Sequence, residues 1–165
     1  MADAGLSVST PIDVRLVDAG FSPGHPLSLF ARAHPEAGGI ASFVGQVRGE
    51  AKDGSAVRAL ELVHYEPLTR PGMDAIVRAA TERFALSGLL AWHRIGVVDP
   101  GAAVVLVAAA APHRRAALQA VDYTMDHLKS AAWFWKRERR GDGPGGSWHW
   151  IEPTPQDHAD RERWG

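Results

Sequence analysis

The chain contains no cysteine among its 165 residues. Disulfides, thiolate nucleophiles and cysteine-based metal sites are therefore excluded. The sequence signatures GxGxxG, the Walker loop, HExxH and GxSxG are also lacking in a usable context. The eight histidines show no metal-ligand spacing, and His64, His93 and His127 are each flanked by core-like residues. We therefore expect no metal and no cofactor, and we expect these three histidines to be satisfied by local contacts.

The chain also has no large excess of positive or negative charge and no long apolar run. The formal net charge is -1 at pH 7, so the chain has neither the basic footprint of a nucleic-acid-binding protein nor an acidic tail. The longest apolar run, residues 102–112, is too short to span a bilayer. The first residues lack the basic start and apolar run of a secretory signal. We expect a cytoplasmic protein that binds neither nucleic acid nor membrane.

Lysine is rare as well. The 18 basic residues comprise 15 arginines and three lysines, Lys52, Lys129 and Lys136. Codon bias explains an excess of arginine, but it does not explain two lysines seven residues apart. Arginine stays protonated, whereas the pKa of a lysine can shift so that the amine takes part in chemistry. The segment around Lys129 and Lys136 is therefore a candidate for function.

Hydrophobic periodicity and turn residues predict the order of elements. The stripe of Leu118, Val121, Met125 and Leu128 favours an amphipathic helix from Pro112 onward. The predicted strands cover 14–18, 38–48, 57–64, 89–98, 102–110 and 148–152, and the other predicted helices cover 26–34 and 73–86.

Several predicted strands follow one another without an intervening helix, and the segments 89–98 and 102–110 are typical of a hairpin across Asp99-Pro100-Gly101. This order favours an α+β fold, with a largely antiparallel sheet and helices packed on it. We expect one domain over residues 1–165, with the polar ends 1–10 and 153–165 loosely ordered.

The first candidate segment is FVGQVR, residues 43–48. Glycine inside a strand often marks a bulge or the close approach of a ligand, and Arg48 follows where the strand meets a loop. The alternative interpretation is an ordinary exposed arginine at a strand end.

The second candidate is Pro112-His113-Arg114-Arg115, at the start of the long predicted helix. Cations at this end oppose the helix dipole. An anion bound to the free N–H groups would reverse that penalty and recruit the basic side chains. A tolerated mismatch at a solvated surface is the alternative.

The third candidate is Lys129 together with WFWKRE, residues 133–138. If the helix continues, a spacing of seven places Lys129 and Lys136 on one face, about 10 Å apart. Among three large aromatic residues, burial would lower the pKa of a lysine amine. The alternative is a helix end whose aromatic residues belong to the core and whose lysines extend into water.

Four segments, in order, resemble the large-subunit family of molybdopterin synthase: FVGQVR (43–48), HRIG (93–96), HRRAAL (113–118) and DHLKSAAWFWKRE (126–138). The likeness runs over residues 38–152. It implies an α/β-hammerhead-type domain that dimerises and binds a small ubiquitin-like sulfur carrier at each end, giving a heterotetramer. It also implies that two sulfur transfers, from the thiocarboxylate at the carrier's C-terminal Gly-Gly tail, convert cyclic pyranopterin monophosphate into the dithiolene of molybdopterin. The lack of cysteine suits this chemistry, because the sulfur arrives on the partner.

The resemblance also implies the residues of the site. Lys129 corresponds to the main catalytic group, a general acid/base or a transient acyl partner, and Lys136 assists it. Arg48, His113 and Arg114 would hold the phosphate and developing oxyanions. The full substrate-binding set is Gln46, Val47, Arg48, His113, Arg114, Lys129, Lys136, Arg137 and Glu138. Two positions depart from the family: Gln46 stands where many relatives carry lysine, and Trp133 stands where proline is common.

Two other functions would use the same fold: a scaffold that binds the carrier without turnover, and a module that binds a phosphate-containing ligand. Retention of both lysines argues against the first, and the WFWKRE segment argues against the second. His113 and Lys129 raise a geometric problem, because sixteen residues of unbroken helix span about 24 Å. We therefore predict that each active site combines residues from two copies of the chain.

Overall fold

The computed structural model describes residues 11–165 with the exception of Asp142. It contains eight strands and four helices within those residues. In chain order they are β1 (Ile12–Val17), α1 (Gly24–Ala33), β2 (Gly39–Gln46), β3 (Val57–His64), α2 (Glu66–Arg83), β4 (Gly88–Arg94), β5 (Gly96–Val98), β6 (Ala103–Ala111), α3 (Arg114–Lys129), β7 (Phe134–Arg140), β8 (Ser147–Ile151) and α4 (Pro155–Glu162).

The first sheet has the strand order β1-β4-β6-β2, with β1 parallel to β4 and the other pairs antiparallel. Its central strand β6 reads AVVLVAAAA and is buried along almost its whole length. Such continuous apolar character is expected of a strand covered on both faces. Helices α2 and α3 pack on one face of the sheet, and the short helix α1 packs on the other.

The second sheet has the order β5-β3-β7-β8 and is antiparallel throughout. The predicted strand over 89–98 in fact divides at Ile95. Its first part pairs with β6 as the predicted hairpin, and its last part, β5, pairs with β3 in the second sheet. Gly96, whose φ is +78°, lies at this change of sheet. The α+β class with mainly antiparallel sheets is thus confirmed.

Helix boundaries differ from expectation at two places. Helix α2 begins at Glu66 instead of residue 73, because prolines near a helix start need not donate a backbone hydrogen bond. In α3 the predicted stripe is partly wrong: Leu118 is 60% exposed, whereas Ala117 and Ala120 are buried against the first sheet. Small side chains there let the helix approach the sheet closely.

Lys129 and Lys136 do not share a helix, so that prediction is wrong. Helix α3 ends at Lys129, where Ser130 caps it through its backbone N–H. The segment from Phe134 forms β7 instead. The chain turns although Trp133 replaces the proline common in the family, and the indole of Trp133 packs tightly against Gly72 of α2.

The expected loose order of residues 153–165 is also wrong. Thr154 and Asp157 form a reciprocal capping box that starts α4. Arg163 pairs with Asp122 and Asp126 of α3 at 2.7 and 2.8 Å, and the Trp164 indole N–H donates to Asp126 at 2.7 Å. The other predicted loose end, 1–10, lies outside the described residues. Among the residues that are described, no helix has the length and apolar character needed to cross a membrane.

Candidate active site

A cavity of about 530 Å³ lies where the two sheets meet the C-terminal end of α3 and the segment leading into α4. Strand β2 ends in its wall, strand β7 crosses it, and α3 delivers Lys129 to it. Residues 151–154 and Asp157, near the C-terminal end of the chain, also line the cavity.

Strand β7 supplies the cavity with every second side chain. Phe134, Lys136, Glu138 and Arg140 line it, as the period of two in a strand requires. Arg137 falls on the opposite face, where its guanidinium lies 4.5 Å from the Trp148 ring and pairs with Glu61.

The same alternation places Trp135 with Arg137, away from the cavity. Of the three aromatic residues at 133–135, only Phe134 is in the cavity wall. The side chains of the segment WKRER therefore alternate between the cavity and the opposite face of the sheet.

The two lysines reach one cavity from different elements, Lys129 from the end of α3 and Lys136 from the middle of β7. Burial and, to a smaller extent, the charge of Lys129 lower the pKa of Lys136 to about 8, while the carboxylate of Asp157 acts in the opposite direction. The prediction of a lowered amine pKa in this segment is confirmed for Lys136.

The end of β2 brings Gln46, Val47 and Arg48 to the cavity. The ladder with β6 shifts register between Gly45 and Gln46, and a Cβ atom at Gly45 would lie 2.6 Å from the Val105 side chain. Glycine is therefore required for close packing where the strand bends toward the site.

His113 and Arg114 do not line the cavity. His113 is the N-cap of α3 and Arg114 its first residue, and the helix runs unbroken for 16 residues to Lys129. The predicted basic cluster at 112–115 is thus exposed, at the opposite end of the helix. Six of the nine predicted site residues meet within one copy of the chain; His113, Arg114 and Arg137 do not.

Two residues of the cavity were assigned no role from the sequence: His93 and Asp157. His93, at the end of β4, is only 4% exposed, and its ring stacks on Phe134 with centroids 4.2 Å apart. Burial lowers the pKa of His93 to about 3, assisted by the charges of Lys136 and Lys129 and opposed by the hydrogen bond to Arg94. His93 lies in the HRIG segment, but its surroundings in the sequence indicated only a core residue.

Asp157 combines a structural contact with a place in the site. Burial acts to raise the pKa of its carboxyl, but hydrogen bonds from Thr154 and the charges of Lys129 and Lys136 bring the pKa below its usual value. The spacing of Thr154 and Asp157 is that of a capping box, a signal in the sequence that could have revealed α4.

The cavity therefore combines a buried amine whose pKa is about 8, two further lysine amines, two arginines and a neutral imidazole. Cations of this kind bind anionic groups, and an amine whose pKa is about 8 can exchange protons near neutral pH. Among the described residues, no three histidine, aspartate or glutamate side chains are placed to hold a metal ion.

Comparison with known proteins adds a second line of evidence. The family described as MoaE protein matches residues 16–131. A molybdopterin synthase catalytic subunit from Caulobacter vibrioides is 46% identical, over 92% of this chain and 96% of that protein. One from Rhizobium meliloti is 39% identical, over 95% and 98%. The solved structure of molybdopterin cofactor biosynthesis protein E from Burkholderia multivorans superposes with a TM-score of 0.74 at 30% identity, covering 94% of this chain and 97% of that one.

Proposed function

The chain belongs to the MoaE family, and from that premise we propose that it is the catalytic subunit of molybdopterin synthase, a sulfurtransferase. It takes sulfur from the thiocarboxylate at the C-terminal Gly-Gly tail of a small ubiquitin-like carrier. Two such transfers convert cyclic pyranopterin monophosphate into the molybdopterin dithiolene. It acts as one domain in the cytoplasm.

The observation that carries the proposal is the convergence of Lys129, Lys136 and Arg48 on one cavity. Lys129 is the main catalytic group, either a general acid/base or a transient acyl partner for the carrier's terminal carbonyl. Lys136 neutralises negative charge on the thiocarboxylate or on the opening ring. Arg48 holds phosphate oxygens through charge-assisted hydrogen bonds.

The carrier's tail enters this cavity and lies against its apolar wall. A glycine tail is thin, and Phe134 together with Phe43 supplies aromatic surface beside the lysines. Trp135 belongs to the other face of the sheet and takes no part. We therefore expect a charged residue at position 134, but not at position 135, to weaken carrier binding at least about tenfold.

A second copy of the chain completes the site. His113 and Arg114 are separated from Lys129 by the length of α3, about 24 Å at 1.5 Å per residue. No pterin monophosphate spans that gap, so one chain cannot place both ends of its own helix around one substrate. A two-fold dimer places His113 and Arg114 of one copy beside Lys129 of the other and forms two equivalent sites. With one carrier on each site the assembly is a heterotetramer.

The experiment mixes two inactive variants, Arg114→Ala and Lys129→Ala, after dissociation and reassociation. Single-turnover dithiolene formation is measured with thiocarboxylated carrier and the cyclic pyranopterin. Each mixed dimer has one doubly altered and one intact site if sites are shared, so a statistical mixture regains about a quarter of wild-type activity. A mixture that stays inactive although mixed dimers form refutes the shared site. Absence of turnover by the wild-type dimer refutes the sulfurtransferase itself.

A further inference from the structure

Three histidines of this protein share one local arrangement. In His34, His93 and His127 the Nδ1 atom lies 2.8 Å from a backbone carbonyl oxygen. Each ring also packs against an aromatic ring, with centroid distances of 4.4, 4.2 and 4.0 Å respectively. This arrangement by itself holds a side chain in place, as expected from the sequence for His93 and His127, and it carries no functional meaning.

The shared arrangement nevertheless determines the chemistry of the other ring nitrogen. A carbonyl oxygen only accepts hydrogen bonds, so Nδ1 carries the proton. In a neutral imidazole the Nε2 atom is then a hydrogen-bond acceptor. Because Nδ1 bonds to a carbonyl of the same strand in His93, Nε2 lies at the far edge of the ring, away from that backbone.

Of the three histidines, His93 is the one that lies in the cavity of the candidate active site. His93 lines the cavity that contains Lys129 and Lys136, whereas His34 and His127 do not. No described residue donates a hydrogen bond to His93 Nε2. Burial, together with the charges of both lysines, lowers the pKa of His93 to about 3, so the imidazole is neutral and too weakly basic to act as a general base at ordinary pH.

The cavity is otherwise rich in donors. Lys129, Lys136 and Arg48 can only donate hydrogen bonds. Of the four carboxylates in the wall, Glu138 is engaged by Arg140 at 2.9 Å and Asp157 by Thr154 at 2.7 Å, whereas Glu50 and Glu152 are exposed to solvent. A pterin presents ring N–H and amino groups as well as its phosphate, and these groups require acceptors.

We propose that His93 is a substrate-positioning residue, whose Nε2 accepts a hydrogen bond from an N–H group of the pterin while the Phe134 ring on which it stacks contacts the same heterocycle. The inference rests on the proposed function, because it takes a pterin as the substrate. The cations then recognise the anionic part of the ligand, and His93 recognises the ring system.

Two substitutions distinguish the effect of the hydrogen-bond acceptor of His93 from the effect of its ring packing on Phe134. His93→Phe keeps an aromatic ring against Phe134 and removes the acceptor, whereas His93→Gln removes the ring and returns an acceptor oxygen at similar reach. We expect His93→Phe to bind the cyclic pyranopterin about tenfold more weakly in calorimetric titration without carrier. We expect His93→Gln to bind within about threefold of wild type. In turnover the same factors appear in KM, and kcat changes less.

Thermal stability is expected to rank the two variants in the opposite order, because Phe is more stable than Gln at a buried apolar position. We expect His93→Phe to melt at a higher temperature than His93→Gln, the reverse of the order in affinity. His127→Phe is the matched control, because His127 has the same local arrangement outside the cavity, and its affinity stays within twofold of wild type.

The inference is overturned if the two variants rank in the same order by affinity as by melting temperature. It is also overturned if a folded His93→Phe protein binds the pterin as tightly as the wild type. Neither result affects the proposed sulfurtransferase activity. A wild-type protein that neither binds nor converts the pterin overturns both.

Discussion

The two sheets differ in composition and therefore in what they contribute. In the first sheet, β6 is apolar along its length, and its alanines and Leu106 are fully buried between α1 and α3. In the second sheet, β7 reads FWKRERR, and only Phe134 is buried in it. The first sheet removes apolar area from water, which is the main source of stability. Strand β7 of the second sheet presents charged groups to a cavity on one face, so chemistry and stability are largely separated between β7 and β6.

The sharpest test of that separation is Lys129→Ala. Lys129 is exposed at the end of α3, so its truncation removes little buried surface. We expect single-turnover dithiolene formation to fall on the order of 10³-fold or more, with a melting temperature close to that of the wild type. Lys129→Arg also fails, because arginine keeps the charge without a transferable proton. The exposed Arg78→Ala on α2 is the control for loss of a cation, and a comparable loss there would contradict the assignment.

Leu106→Ala tests the contribution of the buried strand β6 to stability. The side chain is fully buried in the first sheet, and a cavity left by such a truncation costs about 2–5 kcal/mol of unfolding free energy. Urea denaturation measures the loss. Turnover per folded molecule, corrected for the unfolded fraction, stays near the wild-type value. A loss of more than about tenfold would show that the buried centre of β6 also determines the chemistry.

Lys136→Met tests whether the buried amine of Lys136, which the proposed function requires, lowers the stability of the protein. The pKa of Lys136 is about 8 in the folded protein and 10.5 ordinarily. The unfolded chain therefore holds this proton more tightly, and wild-type stability is lower below pH 8 and rises between about 8 and 10.5. We expect the variant to melt above the wild type at pH 7, an advantage that shrinks as pH rises, while turnover falls strongly. A lower melting temperature at pH 7 would contradict this account.

Thr154→Ala gives the smallest effect. It removes one half of the capping box that starts α4, at a cost of about 1 kcal/mol. Amide hydrogen exchange of residues 155–162 measures the local change. Thr154→Ser retains the hydroxyl and serves as the control. If exchange in α4 does not rise in the alanine variant, the cap does not hold the cavity wall.

Prediction from the sequence succeeded where burial leaves a regular pattern. Strand β3 alternates apolar and polar residues and was predicted over its observed range, and β6 is a continuous apolar run. Strand β7 gave no such signal, because its cavity-facing side chains, among them Lys136 and Glu138, are as polar as those that face solvent. Helix α4 buries no residue fully, so only its cap marked it.

In the candidate site too, some features could be predicted from the sequence and others could not. Lys129 and Lys136 stood out as rare amines, yet their meeting depends on a helix end and a strand that the sequence does not place side by side. Arg137 was included because the family resemblance implies it, and the alternation of β7 turns it away from the cavity. Asp157 was missed because the tail looks polar throughout, although it contributes part of the cavity wall.

The transition from β4 to β5 has a mechanical consequence. The chain leaves the first sheet at Arg94 and enters the second at Gly96, so Ile95 alone joins the two ladders, and its N–H is itself held by Val17 at 3.0 Å. Such a connection has no slack. The sheets cannot slide past each other without breaking hydrogen bonds in β4 or β5, so the strands form a fixed frame around the cavity.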